Sequence, residues 1–292
     1  MQQNFTDIEY SCRKKETRRD KFLNKMDKMV PWADWIAMIE PFYPSGRRGR
    51  PTRGIEIILR MYMLQNWFNL ADEALEDAVY DSYSFRSFLH LDFFDEQVPD
   101  ATTLLKFRRF LEKNKIGEKI FADVKERLEK AGLMMHGGTI VDAGSGYIHT
   151  ITSTGANVHD VNEAHKLIRK DDDVMYGDSG YSGMRKREEV KKDPHLSKVE
   201  YRTNIRPSSL KTKDSYQGIN WDKNIENRKS STRCKVEHPF LIVKRLFGYS
   251  KVRYRGLAKN FNRFNVLFAC ANLVMCERAG RISEFQGVSV SI

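Results

Sequence analysis

Three carboxylates stand in settings that could hold divalent metal: Asp142 in Thr139-Ile-Val-Asp-Ala143, Asp178 in Tyr176-Gly-Asp-Ser-Gly-Tyr181, and Glu237 in Arg233-Cys-Lys-Val-Glu-His-Pro-Phe240. Carboxylates are hard oxygen ligands for magnesium-like ions, and such ions act on phosphate esters. The chain carries 50 Lys and Arg against 39 Asp and Glu, a formal net charge of +11. So basic a chain points to a polyanionic partner, and the chemistry implied is the cutting or joining of nucleic acid. Taken singly, an aspartate after a strand is ordinarily a turn residue, and His238, beside a helix start, is ordinarily structural. The three carboxylates together carry the metal reading.

The elements that must position these groups follow from local pattern. Thr139-Ile-Val and Val174-Met-Tyr are short, strand-like runs, so Asp142 and Asp178 fall at strand ends, the rim where open α/β sheets bind ligands. Gly177 and Gly180 leave room beside Asp178. Glu237 lies in a predicted helix over 235–247. At α-helical pitch Arg233 and Lys244 share its face, and Pro239 restricts it to a first turn or a kink. An ordinary surface ion-pair ladder is the alternative account of those three residues, and the company of Asp142 and Asp178 weighs against it. The basic and aromatic run through Lys244, Arg245, Lys251, Arg253 and Arg255, and the loop with Arg47, Arg48 and Arg50, suit contacts to a DNA backbone.

Upstream, 11–28 is dense in Lys and Arg, which reads equally well as a DNA-contacting helix or a solvated face. Trp32–Ile39 predicts a short amphipathic helix stopped by Pro41. Ile57, Ile58, Met61, Leu64 and Phe68 recur at helical spacing, and Pro99-Asp-Ala-Thr-Thr103 is a helix start. Lys106, Arg108 and Arg109 could face DNA from a helix-turn-helix, although a helical bundle with a basic surface is the simpler reading. Residues 1–133 are expected to be all-helical and DNA-binding, 137–279 catalytic, and 280–292 a loose tail. Within 137–279, strands are expected at 139–141, 147–154, 174–176 and 199–205, the first two as a hairpin. Helices are expected at 160–170, 184–192 and 257–278, which together make an α/β layer. Residues 206–231 read as a polar loop.

Cys12, Cys234, Cys270 and Cys276 form no Cys-x-x-Cys pair, which argues against a zinc ribbon and fits a reduced cytoplasm. No signal segment is read at the N-terminus, and no apolar run has the length of a membrane helix.

The chain resembles DDE transposases of bacterial insertion sequences, of the insertion-sequence-five type. The likeness covers nearly the whole length. Besides the segments above it includes Pro41-Phe-Tyr-Pro44 and Ala156-Asn-Val-His-Asp160, and Arg233, Glu237 and Lys244 match the spacing around the family's glutamate, with Ser230 where its tyrosine is expected. The resemblance implies a helical DNA-binding region followed by a ribonuclease-H-like mixed sheet flanked by helices. It implies that Asp142, Asp178 and Glu237 hold two magnesium ions, with manganese able to substitute. The implied reaction is strand cleavage at the terminal inverted repeats and joining to target DNA by a homodimer in the nucleoid-associated cytoplasm.

One departure stands out. Thr-Ile-Val-Asp-Ala143 runs directly into Gly-Ser-Gly-Tyr147, where relatives are expected to carry a further basic segment and strand ending in a second Val-Asp-Ala. An in-frame deletion between two short repeats accounts for this, leaves 36 residues between Asp142 and Asp178 (178 − 142), and removes one strand. Asp142 then belongs either to the first strand or to the second. The alternatives are a DNA-binding remnant without catalysis, a ribonuclease-H-type nuclease without strand transfer, and a basic scaffold for RNA or protein.

Overall fold

The computed structural model describes residues 10, 12–44, 54–92, 97–134, 146–155, 157–204, 224, 227 and 237–288. The chain divides into two compact units, residues 1–65 with 70–107, and residues 66–69 with 108–292.

The first unit is helical. Its first long helix, α1 (Arg18–Met29), starts at Thr17, whose hydroxyl accepts from the Asp20 N–H while the Asp20 carboxylate accepts from the Thr17 N–H at 3.0 Å. This reciprocal cap satisfies two donors that a helix start otherwise leaves open. Leu23, Met26 and Met29 are buried along one stripe, whereas Arg18, Arg19, Lys21, Lys25 and Lys28 face solvent. The basic segment is thus the outer face of an amphipathic helix. α2 (Trp32–Ile39) buries Trp35 and Ile39, and Pro41 follows in a short 3₁₀ turn, Glu40–Phe42. α3 (Ile55–Phe68) is buried nearly all round, and Arg60 is enclosed with it. The Arg60 guanidinium bonds Asp27 at 2.6 Å and Glu56 at 2.8 Å and lies 4.2 Å from the Trp32 ring centre, so the buried charge is fully engaged. α4 (Asp72–Asp81), α5 (Tyr83–Phe88) and the first half of α6 (Ala101–Lys113) complete the unit.

In the second unit α7 (Ile116–Lys130) packs on the long helix α10 (Leu257–Arg278). The expected helical stretch over 1–133 is therefore shared between both units. Gly117 lets the two helices approach, because a Cβ there would lie 2.5 Å from the Asn262 backbone oxygen. Buried amides run along α10. Asn262 accepts from the Gly117 N–H at 2.9 Å, Asn260 donates to the carbonyls of Tyr254 and Gly256 at 2.7 Å each, and Asn272 bonds the backbone of Ile148. α11 (Ile282–Gln286) buries Phe285 to 1% exposure, and the Val288 carbonyl accepts from Arg127. The 280–292 segment is thus no loose tail over its described part: it turns at Gly280 (φ +69°) and docks through one aromatic side chain.

The α/β portion is small. α8 (Asp160–Glu163) tightens into a 3₁₀ turn, Ala164–Leu167, so the helix expected over 160–170 is short. β1 (Val174–Gly177) pairs in parallel with β2 (Glu200–Thr203), with Tyr176 opposite Arg202. Parallel pairing needs a crossover, and α9 (Glu188–Lys192) lies in it. The helix expected over 184–192 is interrupted at Arg187, whose backbone is extended. Met175, Met184, Val190, Leu196, Val199 and Ala164 form the core under the sheet. Residues 146–155 form no strand, contrary to expectation, and residues 139–141, the hairpin's other arm, lie outside the described residues. The sheet is two-stranded among the described residues.

Candidate active site and nucleic-acid interface

Asp178 stands at the carboxyl end of β1, as its position after an apolar run predicts. Its backbone stays extended (φ −77°, ψ −178°), and its side chain accepts from the Gly180 N–H at 2.8 Å, which turns the chain into the 3₁₀ segment Ser179–Tyr181. A Cβ on Gly177 would meet the Tyr181 Cβ at 3.0 Å, so glycine is what lets this turn fold over the strand end. Asp178 is half-buried.

Glu237 is exposed in helical backbone, with buried Pro239 two residues on. Beyond it, Ile242–Leu246 is wound as a π-helix, and the Phe247 N–H donates to the Ile242 carbonyl at 3.0 Å. The wider turn rotates Lys244 away from the direction that an unbroken α-helix would give it. The strict α pitch assumed between Glu237 and Lys244 is not kept through this segment. π-wound turns of this kind occur often at functional positions.

Lys244 and Arg245 are exposed on this segment, and Lys251, Arg253 and Arg255 are exposed on the following loop. That loop is held from beneath. Arg263, 2% exposed, donates to the Asn69 amide oxygen at 3.0 Å and to Asn66 at 3.3 Å, and its guanidinium lies 5.1 Å from the Tyr249 ring and 5.3 Å from the Tyr254 ring. Asn69, in left-handed backbone (φ +51°), donates to the Gly248 carbonyl at 2.6 Å, and its own carbonyl accepts from Arg253 at 2.6 Å. Arg108 lies over Tyr254 at 5.2 Å, while Lys106 and Arg109 are exposed on α6. The outcome is a fixed basic loop interleaved with aromatic rings, suited to phosphate contacts. Exposed Phe240, Leu241, Leu246, Val252 and Leu257 lie along the same stretch of chain.

Asp142, Arg233, Arg47, Arg48 and Arg50 lie outside the described residues. Among the described residues no group of three or more His, Cys, Asp or Glu side chains could hold a metal ion. Cys12, Cys270 and Cys276 are not in disulfides, and burial pushes Cys270 up to about 12, consistent with a small core residue. No described helix is long and apolar enough to cross a membrane.

Sequence reasoning passed over one polar group near Asp178. Arg202, opposite Tyr176 on β2, donates to the Tyr176 hydroxyl at 3.0 Å and to Glu200 at 2.7 Å. The signal was present in the alternation of 199–205, which sets 200, 202 and 204 on one face.

No solved structure matches this chain. Two family models do. "Transposase domain (DUF772)" matches residues 10–110. "Transposase DDE domain" matches residues 100–273, more than half of the chain, and spans both Asp178 and Glu237. The chain belongs to the DDE transposase family, whose members are polynucleotidyl transferases.

Proposed function

We propose that this protein binds the ends of its own insertion sequence and catalyses metal-dependent strand cleavage and strand transfer, as an insertion-sequence-five-type transposase with a ribonuclease-H-like catalytic core. The observation that carries the reading is the placement of Asp178 at the carboxyl end of a parallel strand, inside the segment matched by the DDE domain. In this reading 1–133 serves DNA binding and 137–279 catalysis. Asp142, Asp178 and Glu237 are the carboxylates that would hold two magnesium ions, with manganese able to substitute. Their all-oxygen donor set fits such ions. When bound, the metal supplies Lewis acidity to the attacking hydroxyl or water and to the leaving oxygen. The chain's own cations do the rest. Lys244, Arg245, Lys251, Arg253 and Arg255, with Arg233 and the Arg47, Arg48 and Arg50 loop, neutralise phosphates and set the register of the duplex. Paired ends call for a homodimer, in a cytoplasmic, nucleoid-associated setting.

A second reading, a remnant that binds DNA without cutting it, has its own observation. At Ile148, shortly after the point of the inferred deletion, the backbone is bonded by a side-chain amide where an intact sheet would offer a strand.

Binding is tested by fluorescence anisotropy of a labelled duplex carrying the element's end, beside a scrambled duplex, over a salt series. Both readings predict tighter binding to the end and affinity that falls steeply with salt. Equal affinity for both duplexes, or none, would leave neither reading standing.

A further inference from the structure

The small parallel sheet has two unlike faces. Met175 and Gly177 of β1 are buried on the inner face, where Tyr201 of β2 packs against the core and donates its hydroxyl to the Leu196 carbonyl at 2.9 Å. Alternation along a strand then sets Val174, Tyr176 and Asp178 on the outer face of β1, and Glu200, Arg202 and Asn204 on that of β2. The ladder continues past the last paired residues, since the Asn204 N–H donates to the Gly177 carbonyl at 3.0 Å, so the alternation holds as far as Asp178. A strand spacing of about 4.8 Å and a rise of about 3.3 Å per residue put Arg202 roughly 8 Å from Asp178 along the backbone.

Arg202 is poised. Its side chain is 42% exposed, it stands directly opposite Tyr176, and the Tyr176 hydroxyl fixes one of its nitrogens. Its guanidinium also lies 5.7 Å from the Tyr176 ring centre. The Glu200 carboxylate takes a second nitrogen, which holds that carboxyl below the usual range. Glu200 is 58% exposed, and an exposed ion pair of this kind is weak enough for a phosphate to displace. The planar fork of arginine then matches two phosphate oxygens.

We infer that Arg202 is a phosphate-binding residue, held by Tyr176 on the face of Asp178, that takes a DNA phosphodiester next to the reacting one and releases Glu200 as it does so. The inference rests on the transposase reading of the Asp178 site. It adds a DNA contact on the catalytic sheet, apart from the basic loop at 251–255.

The test measures affinity for the element-end duplex against salt for the wild-type protein and the variants Arg202→Gln, Arg202→Lys and Glu200→Gln, with a thermal melt of each. Arg202→Gln is expected to bind several-fold more weakly and to lower the log–log salt slope by about 0.9, the loss of one phosphate contact. Arg202→Lys is expected to restore the slope, and Glu200→Gln to bind more tightly than wild type, all with unchanged melting. If wild type binds with a steep salt slope and Arg202→Gln matches it in both affinity and slope, Arg202 is not a phosphate ligand and the transposase reading stands. A lower affinity with unchanged slope, together with a lowered melt, overturns the inference in favour of a structural role. If wild type itself shows no salt-sensitive binding, the transposase reading and this inference fall together.

Discussion

The side-chain amide of Asn272 pairs with the backbone of Ile148 on both sides: Oδ1 accepts from the Ile148 N–H at 2.9 Å, and Nδ2 donates to the Ile148 carbonyl at 2.8 Å. Asn272 is fully buried and Ile148 nearly so, at 3% exposure. One amide thus does for Ile148 what a neighbouring strand would do. It holds the chain six residues past Asp142 against α10. The adjoining Tyr147 lies beside Cys276, and the Cys276 thiol reaches the Arg281 carbonyl at 3.4 Å.

Replacing this amide should be costly. Asn272→Ala leaves a buried donor and a buried acceptor without partners, and at about 1–3 kcal/mol each the loss should reach about 2–6 kcal/mol. Urea denaturation followed by far-UV circular dichroism measures it. A loss below about 1 kcal/mol would mean that water replaces the amide and that the contact does not organise the segment.

A second prediction concerns the ion pair of Asp123 and Arg127 on α7, with side chains 4% and 5% exposed and a 3.0 Å contact. Arg127 also donates to the Val288 carbonyl at 3.1 Å, which ties the C-terminal segment to this helix. Asp123→Ala strands a buried guanidinium and should cost about 3–5 kcal/mol, whereas the double variant Asp123→Leu with Arg127→Met should fall within about 1 kcal/mol of wild type. Urea midpoints of the three proteins check this. Equal losses in the single and double variants would show that the stranded charge is not the source of the cost.

The third prediction is a pH dependence at the start of α1. Burial pushes the Asp20 carboxyl up, but hydrogen bonds from Ser84 and Thr17 and the charge of Arg13 outweigh it, so its pKa lies below the ordinary 3.8. A depressed folded-state pKa contributes stability that is present above the ordinary value and lost as pH falls through the folded value. Wild type should therefore melt higher than Asp20→Asn at about pH 7, and the gap should shrink below about pH 4. A gap that stays constant down to about pH 2 would place the whole effect in hydrogen-bond geometry rather than in charge.

Particular residues show what the sequence made legible. The helix at Trp32–Ile39 and the strand at Val174–Gly177 carry their own punctuation, Pro41 for the first and Gly177 for the second, so local pattern located both. The 147–154 segment looked like a strand because Tyr147, Ile148 and Ile151 suit one. Yet the described partner of Ile148 is an amide 124 residues away, and periodicity cannot see it. The 280–292 segment reads as a loose tail because its local pattern is weak, and the docking of Phe285 depends on a surface built elsewhere in the fold. The placement of Lys244 relative to Glu237 assumed a pitch of 3.6 residues per turn, which the π-wound segment does not keep. At the site, Asp178 was recognisable from the strand it ends. Arg202 was not, because its meaning comes from its register with Tyr176, a pairing across 26 residues.

The central claim is that Asp178 and Glu237 serve a metal-dependent reaction on DNA. The most direct measurement is cleavage of a labelled duplex bearing the element's end, with magnesium or manganese, by wild type, Asp178→Ala and Glu237→Ala. The account predicts cleavage by wild type in metal alone and its loss in both variants, with DNA binding retained in each. Metal-dependent cleavage that survives in either variant, or a wild-type protein that binds the end but never cuts it, would contradict it.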